Sequence, residues 1–329
     1  MPIKKLTIKN FKSIKNLSLD CKRINILIGE PNTGKSNILE AIGVLSHVPY
    51  GQIADFVRFE IMTDLFYDRV LDDPIILDFD SNVLRIEFKN GLFEAYLETP
   101  PKEGEALRLI PYHAFTYSYQ GGMAQNYVKT LLEFKYYRFA RRTIFGNQKS
   151  EFLMPPSGDN LLAVIMTRKR LKEIVKDIFG KFGYRVVLRP QEGKIDIQKE
   201  SEDIIISFPY FTSSETLQRL VFYLAAIYSN KDSVISIEEP EAHAFPYYTK
   251  YLAERIALDE NKNQYFIATH NPYFLTSILE KTPKEEVEIF TTSLHNYQTI
   301  VKPLNEEQKK DILSDMGYDV FFNIEKFLS

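Results

Sequence analysis

The segment that most constrains this chain is Gly29-Glu30-Pro31-Asn32-Thr33-Gly34-Lys35-Ser36, with the spacing G-x-x-x-x-G-K-S. It follows an apolar run at 24–28 that reads as a short buried strand, and it opens a helical pattern over 37–45. Strand, glycine-bounded loop and helix in that order are the context a phosphate-binding loop needs. Glycines at both ends let backbone N–H groups curl around phosphate oxygens. The helix N-terminus adds partial positive charge, and the lysine ammonium reaches the outer phosphates. The residues expected on the nucleotide are Gly29, Asn32, Thr33, Gly34, Lys35, Ser36 and Asn37, with the Ser36 hydroxyl also on Mg²⁺. The competing reading, a turn that matches by chance, is disfavoured because all three context conditions hold. The chain is expected to bind a nucleoside triphosphate.

Composition narrows the setting. With 329 residues, 44% hydrophobic and 26% charged, the chain can bury one large core or two lobes and is not disordered. A formal charge of −3 supplies no global field for nucleic acid, so any such contact needs a local patch. Cys21 is the only cysteine, which excludes a disulfide framework and a cysteine-based zinc site. The histidines show no metal-ligand spacing. The first residues lack a signal-peptide apolar region and no stretch is apolar enough to span a bilayer, so a cytoplasmic protein without a membrane partner is expected.

Periodicity organises the rest. Residues 5–20 read as a strand, a bend and a second strand, and 49–73 as irregular or short helices. From 75 to 119 the period is two, with an Asn90-Gly91 hairpin turn, so an antiparallel sheet is expected, closed at Gly121-Gly122. Residues 100–105 read as a solvated loop. Lys135, Arg138, Arg141 and Arg142 are interleaved with aromatics, and a Pro/Gly-rich connector leads to one helical pattern over 160–182 that carries Arg168, Lys169, Arg170, Lys172 and Lys176. Both basic groups could track a phosphate backbone, although solvated faces are the commoner explanation. A second hairpin at 185–197 leads to the apolar run 204–206, and 306–329 reads as a closing helical segment through Ile312, Leu313, Met316, Val320, Phe321, Phe322, Ile324 and Phe327.

Three further segments bear on chemistry. An apolar strand ends in Glu238-Glu239-Pro240-Glu241; a carboxylate there can hold Mg²⁺ through its water shell, and its neighbour can orient a water. Glu238 is assigned to the metal and Glu239 to the water. A second strand leads to His270, whose imidazole can bond a γ-phosphate oxygen and hold glutamate and water in line. Ser213 and Ser214 precede a helix, either as an ordinary cap or as a second phosphate-contacting N-terminus used across a dimer.

Taken in order, these segments resemble the ABC-type ATPase heads of the RecF, structural-maintenance-of-chromosomes and OLD-like families. Ile8-Lys9-Asn10-Phe11-Lys12-Ser13-Ile14 is similar to their opening, Glu239-Pro240-Glu241-Ala242-His243-Ala244-Phe245-Pro246 to their glutamate-proline-glutamate segment, and Ala268-Thr269-His270-Asn271-Pro272 to their switch-histidine strand. Residues 155–162 resemble a connector of stand-alone prokaryotic members. The resemblance implies an α/β P-loop NTPase fold with a mixed central sheet, an N-terminal antiparallel β region and a helical insertion. It implies one composite head divided at 1–134, 135–210 and 211–329. It also implies an ATP-dependent homodimer in which Ser213 or Ser214 of one copy completes the site of the other, with Lys35, Glu239 and His270 as its catalytic residues.

Two departures stand out: Glu238 where the family usually has Asp, and Glu215 in the region where the signature usually has Gly. Both point to slow hydrolysis. No Mg²⁺-sensing glutamine is identifiable, Gln52 and Gln120 being equal candidates. No coiled-coil arm is expected, and the residues after 282 are too few for a nuclease domain, so a nuclease or other effector would be a separate protein. The expected role is an ATP switch in DNA repair or in defence against foreign nucleic acid, with DNA as a candidate partner. The alternatives are the ATPase subunit of a membrane transporter and a P-loop phosphotransferase.

Overall fold

The computed structural model describes residues 2–80, 82–99, 110–125, 131–314 and 317–327. The loop expected at 100–105, and Met316, lie outside them. Strands β1 (Lys5–Phe11) and β2 (Ile14–Asp20) form a hairpin that leads into β3 (Ile24–Gly29), and the phosphate loop connects β3 to α1 (Lys35–Tyr50). After the short α2 (Ile53–Phe56) comes a meander: β4 (Ile75–Phe79), β5 (Asn82–Lys89), β6 (Leu92–Thr99), β7 (Ile110–Tyr117) and β8 (Met123–Gln125). The chain continues through β9 (Phe134–Tyr137), α3 (Leu161–Thr167), α4 (Lys169–Gly180), β10 (Arg185–Arg189), β11 (Lys194–Ser201) and β12 (Ile204–Pro209). The last third alternates: α5 (Glu215–Ser229), β13 (Val234–Glu238), α6 (Pro246–Ala257), β14 (Gln264–Ala268), α7 (Pro272–Lys281), the hairpin β15 (Val287–His295) and β16 (Gln298–Pro303), then α8 (Glu306–Ser314) and α9 (Tyr318–Phe322).

The central sheet has the order β16-β15-β3-β14-β13-β9, parallel except for the β15–β16 hairpin. Strand β3 is buried along its whole length because both faces of the sheet are covered. Ile24, Ile26 and Ile28 enter the core built with α3 to α7, whereas Leu27 enters the core shared with α1 and the antiparallel sheet. That second sheet has the order β2-β1-β4-β5-β6-β7-β8. Helix α1 lies between the two sheets and is apolar or small on nearly every side, with Ile38 to Val48 buried, as a helix covered on both flanks must be. Each isoleucine or leucine so buried contributes about 1.5–3 kcal/mol relative to an exposed one. The Asn90-Gly91 turn has both residues at positive φ, the geometry a two-residue hairpin requires.

Several expectations are corrected. The pattern at 160–182 is two helices, because Arg168 is extended and its guanidinium is drawn to the Glu151 and Ser229 carbonyls. Gly121-Gly122 does not end the sheet: the turn there reverses the chain and β8 adds an edge strand against β7. The boundary drawn at 134/135 runs inside β9, which belongs to the central sheet through β13. In the closing segment Ile312, Val320, Ile324 and Phe327 are buried, but Leu313 and Phe322 point outward, since short helices separated by turns cannot keep one apolar face.

The first basic group is also not a free patch. Lys135 is buried, donating to Asn230 Oδ1 (2.7 Å) and Ser233 Oγ (3.2 Å); Arg138 donates to the Asp55 carbonyl, Arg141 pairs with Glu215 and Arg142 bonds Ser157. Lys169, Lys172 and Lys176 on α4 are exposed.

Candidate functional site

The phosphate loop is shaped by close approach to the β15–β16 hairpin. Gly34 has φ +95°, and a Cβ there would lie 2.0 Å from Thr299 Oγ1, so glycine is required on both counts. Thr33 Oγ1 shares a hydrogen bond with Thr292 Oγ1 (2.6 Å), and Asn37 Nδ2 donates to Ser13 Oγ (2.7 Å). Lys35 is buried at the first position of α1, and its Nζ donates to the Gly29 and Glu30 carbonyls (2.8 and 2.7 Å). Burial lowers its pKa to about 8, against the pull of Glu239 and Glu238, so the ammonium persists at neutral pH.

Strands β13 and β14 lie beside β3 in parallel, so their C-terminal ends bring the other groups to the loop. Ser36 Oγ donates to Glu238 Oε1. Glu239 follows at φ +43°, with its N–H on the Ala268 carbonyl (2.9 Å) and its carboxylate 3.5 Å from His270 Nε2. Burial lowers the His270 pKa, with Lys35 adding to the effect, so the imidazole is neutral at pH 7.

Lys35, Ser36, Glu238, Glu239 and His270 all line one cleft of about 730 Å³, together with Asn32, Thr33, Gly34 and Asn37. Gly29 sits at the base of the loop without lining the cleft. Ser213 and Ser214 do not reach it; they line a separate, largely apolar cavity of about 500 Å³ with Phe179 and Phe245, and Ser213 Oγ donates to the Tyr210 carbonyl (2.7 Å). Gln52 and Gln120 are not in the cleft lining.

Residues 1–153 match the family described as AAA ATPase domain. Two solved structures share the architecture. One is an Smc head bound to the C-winged helix domain of ScpA, 16% identical at a TM-score of 0.55, with 94% of this chain and 100% of that chain covered. The other is an Smc head domain with an extended coiled coil, bound to the C-terminal domain of ScpA and derived from Pyrococcus furiosus, 15% identical at 0.52, with 95% and 99% covered. The fold is that of an Smc head domain. No curated protein sequence matches the chain. The matched domain takes in the head's phosphate loop and stops short of Glu238, Glu239 and His270.

The head contains functional candidates that its sequence did not signal. Arg58 lines the cleft, with a guanidinium nitrogen 3.7 Å from Glu238 Oε1. It is aimed by Glu40, a fully buried carboxylate on α1 that binds Arg58 Nε (2.6 Å) and Lys12 Nζ. Glu40→Ala leaves Lys12 nearly buried without its counter-charge, and breaking such a pair costs about 3–5 kcal/mol. Chemical denaturation should show that loss, and Arg58 should lose its hold beside Glu238.

Behind the histidine strand, Glu241 is buried, its Oε1 accepting from Thr269 Oγ1 and the His270 N–H (3.4 Å) and its Oε2 without a hydrogen-bond partner. Burial raises its pKa from 4.5 to about 7. Between those values the native state keeps a proton that the unfolded state releases, so stability falls as pH rises and the full penalty, roughly 3 kcal/mol, is present above pH 7. Denaturation of Glu241→Gln should lack this slope, and the variant should gain on wild type from pH 5 to pH 8.

The Ser36 hydroxyl and the Glu238 carboxylate are adjacent hard oxygen donors at the edge of an open cleft. That set suits Mg²⁺, which takes few protein ligands and fills its octahedron with water and phosphate oxygens. Among the described residues no group of three or more His, Cys, Asp or Glu could hold another metal, and no helix is long and apolar enough to cross a membrane.

Proposed function

We propose that this head binds Mg·ATP in the cleft and hydrolyses it, and that two copies close head-to-tail around the nucleotide. The observation that carries the reading is the meeting of Lys35, Ser36, Glu238, Glu239 and His270 on one cleft, from segments distant in sequence. The loop amides and Lys35 hold the phosphates; Glu239 orients the attacking water and accepts its proton; neutral His270 donates a hydrogen bond to the γ-phosphate. Mg²⁺ held by Ser36 and Glu238 would supply charge neutralisation on the phosphate oxygens. Arg58, beside Glu238, adds a second positive charge at that end.

Closure by a second copy is supported by the position of Ser213 and Ser214. They stand at the N-terminus of α5, away from the cleft of their own copy. The neighbouring Glu215 is paired with Arg219 (2.8 Å) and Arg141 (2.7 Å), so its charge is neutralised locally rather than set against an incoming phosphate. A role in DNA repair or defence, through a separate effector, follows from the resemblance of the motifs. The exposed lysines of α4 are the cations a phosphate backbone would meet.

The reading is tested by phosphate release from ATP with Mg²⁺ and with chelator, alongside solution mass with and without ATP. Metal-dependent release without an added acceptor, and a mass that doubles with ATP, are expected. Transfer to an acceptor alone would make the protein a phosphotransferase.

A further inference from the structure

The two large apolar side chains in the cleft lining, Leu294 and Tyr297, stand together on the β15–β16 hairpin. Tyr297 is 83% exposed, the highest value of any large apolar side chain among the described residues. It occupies the hairpin turn beside Asn296, with both residues at positive φ (62° and 48°). Asn or Gly suits such a turn, whereas a bulky aromatic there is uncommon, so neither turn geometry nor packing accounts for the tyrosine.

Its place in the sheet suggests what does. The order β15-β3-β14-β13 puts the phosphate loop, after β3, between two flanks. Glu238, Glu239 and His270 lie at the β13–β14 flank, and Tyr297 lies at the other. Three strand spacings separate β13 from β15, about 14 Å, a span an extended nucleoside triphosphate covers from its terminal phosphate to its base. The hairpin is also tied to the loop: the Thr299 N–H donates to the Ser13 carbonyl (2.8 Å), Thr299 Oγ1 bonds Ser13 Oγ (2.6 Å) and Thr292 bonds Thr33.

We propose that Tyr297 is the platform on which the nucleotide base stacks, with Leu294 extending the apolar surface. The inference rests on the nucleotide reading of the cleft and names its base subsite. Stacking uses the ring face, so the phenol hydroxyl is not required, and every base offers a face, so the subsite favours nucleotides over bare polyphosphate without selecting one base.

The test is calorimetric binding of Mg·ATP and of magnesium tripolyphosphate to wild type, Tyr297→Ala, Tyr297→Asn and Tyr297→Phe. Losing the ring should weaken ATP about 5- to 150-fold and leave tripolyphosphate unchanged. Tyr297→Asn suits the left-handed turn and should match Tyr297→Ala, while Tyr297→Phe should keep wild-type affinity. Unchanged ATP affinity in the Ala and Asn variants overturns the stacking role alone. An equal loss for both ligands does so too, since it marks damage to the loop. Wild type that binds neither ligand overturns the nucleotide reading together with this one.

Discussion

Glu239→Gln should bind Mg·ATP as tightly as wild type and release phosphate at least about 100-fold more slowly, the typical contribution of a positioned general base. The amide has the size and shape of the carboxylate but cannot take the proton from water. The geometry makes this the most selective substitution in the cleft. Glu239 is half-exposed, touches His270 at 3.5 Å, and its backbone is held by the Ala268 carbonyl rather than by its side chain. Folding should therefore be unaffected. Because closure precedes hydrolysis in the proposed cycle, the variant should also accumulate as an ATP-bound dimer. Single-turnover phosphate release and solution mass read both effects. Wild-type turnover in this variant would remove Glu239 from the chemistry.

Lys35→Ala should act earlier, on binding. The ammonium sits inside the loop on two carbonyls, where charge-assisted bonds to phosphate are strong. Removing one or two such bonds, each about 1.5–3 kcal/mol, predicts a rise in the Kd for ATP of at least about 10-fold. Calorimetry on Lys35→Ala and Glu239→Gln side by side separates the two roles: one loses binding, the other only turnover. A thermal melt of Lys35→Ala checks that the loop has not collapsed, since the Gly29 and Glu30 carbonyls lose their donor.

The chemistry at the loop was legible because it is local. Eight consecutive residues, a strand before and a helix after are enough to specify the phosphate cradle, and Glu238, Glu239 and His270 each stand at or just beyond the end of a short apolar strand. Parallel pairing then carries those ends to one edge. What the sequence hid depends on distant partners. Glu40 on α1, Lys12 in the β1–β2 turn and Arg58 after α2 meet around one buried carboxylate, and nothing local to any of the three names its partners. Tyr297 is a turn residue whose position beside the loop is set by Thr299 and Ser13, far apart in the chain.

The basic run beginning at Lys135 misled for a related reason. β9 is four residues long and buried throughout, so its lysine sits among aromatics with Nζ 3.6 Å from the centre of the Phe152 ring, and burial lowers its pKa to about 7. A short strand at the edge of the central sheet, buried at every position, has no alternation to reveal it.

The most direct measurement of the central claim is a crystal structure of Glu239→Gln with Mg·ATP. The triphosphate should lie along Gly29 to Ser36 with Lys35 on its outer phosphates, and the metal between Ser36 and Glu238, with the base toward Tyr297. Nucleotide bound away from this loop, or a metal that touches neither Ser36 nor Glu238, would contradict the account.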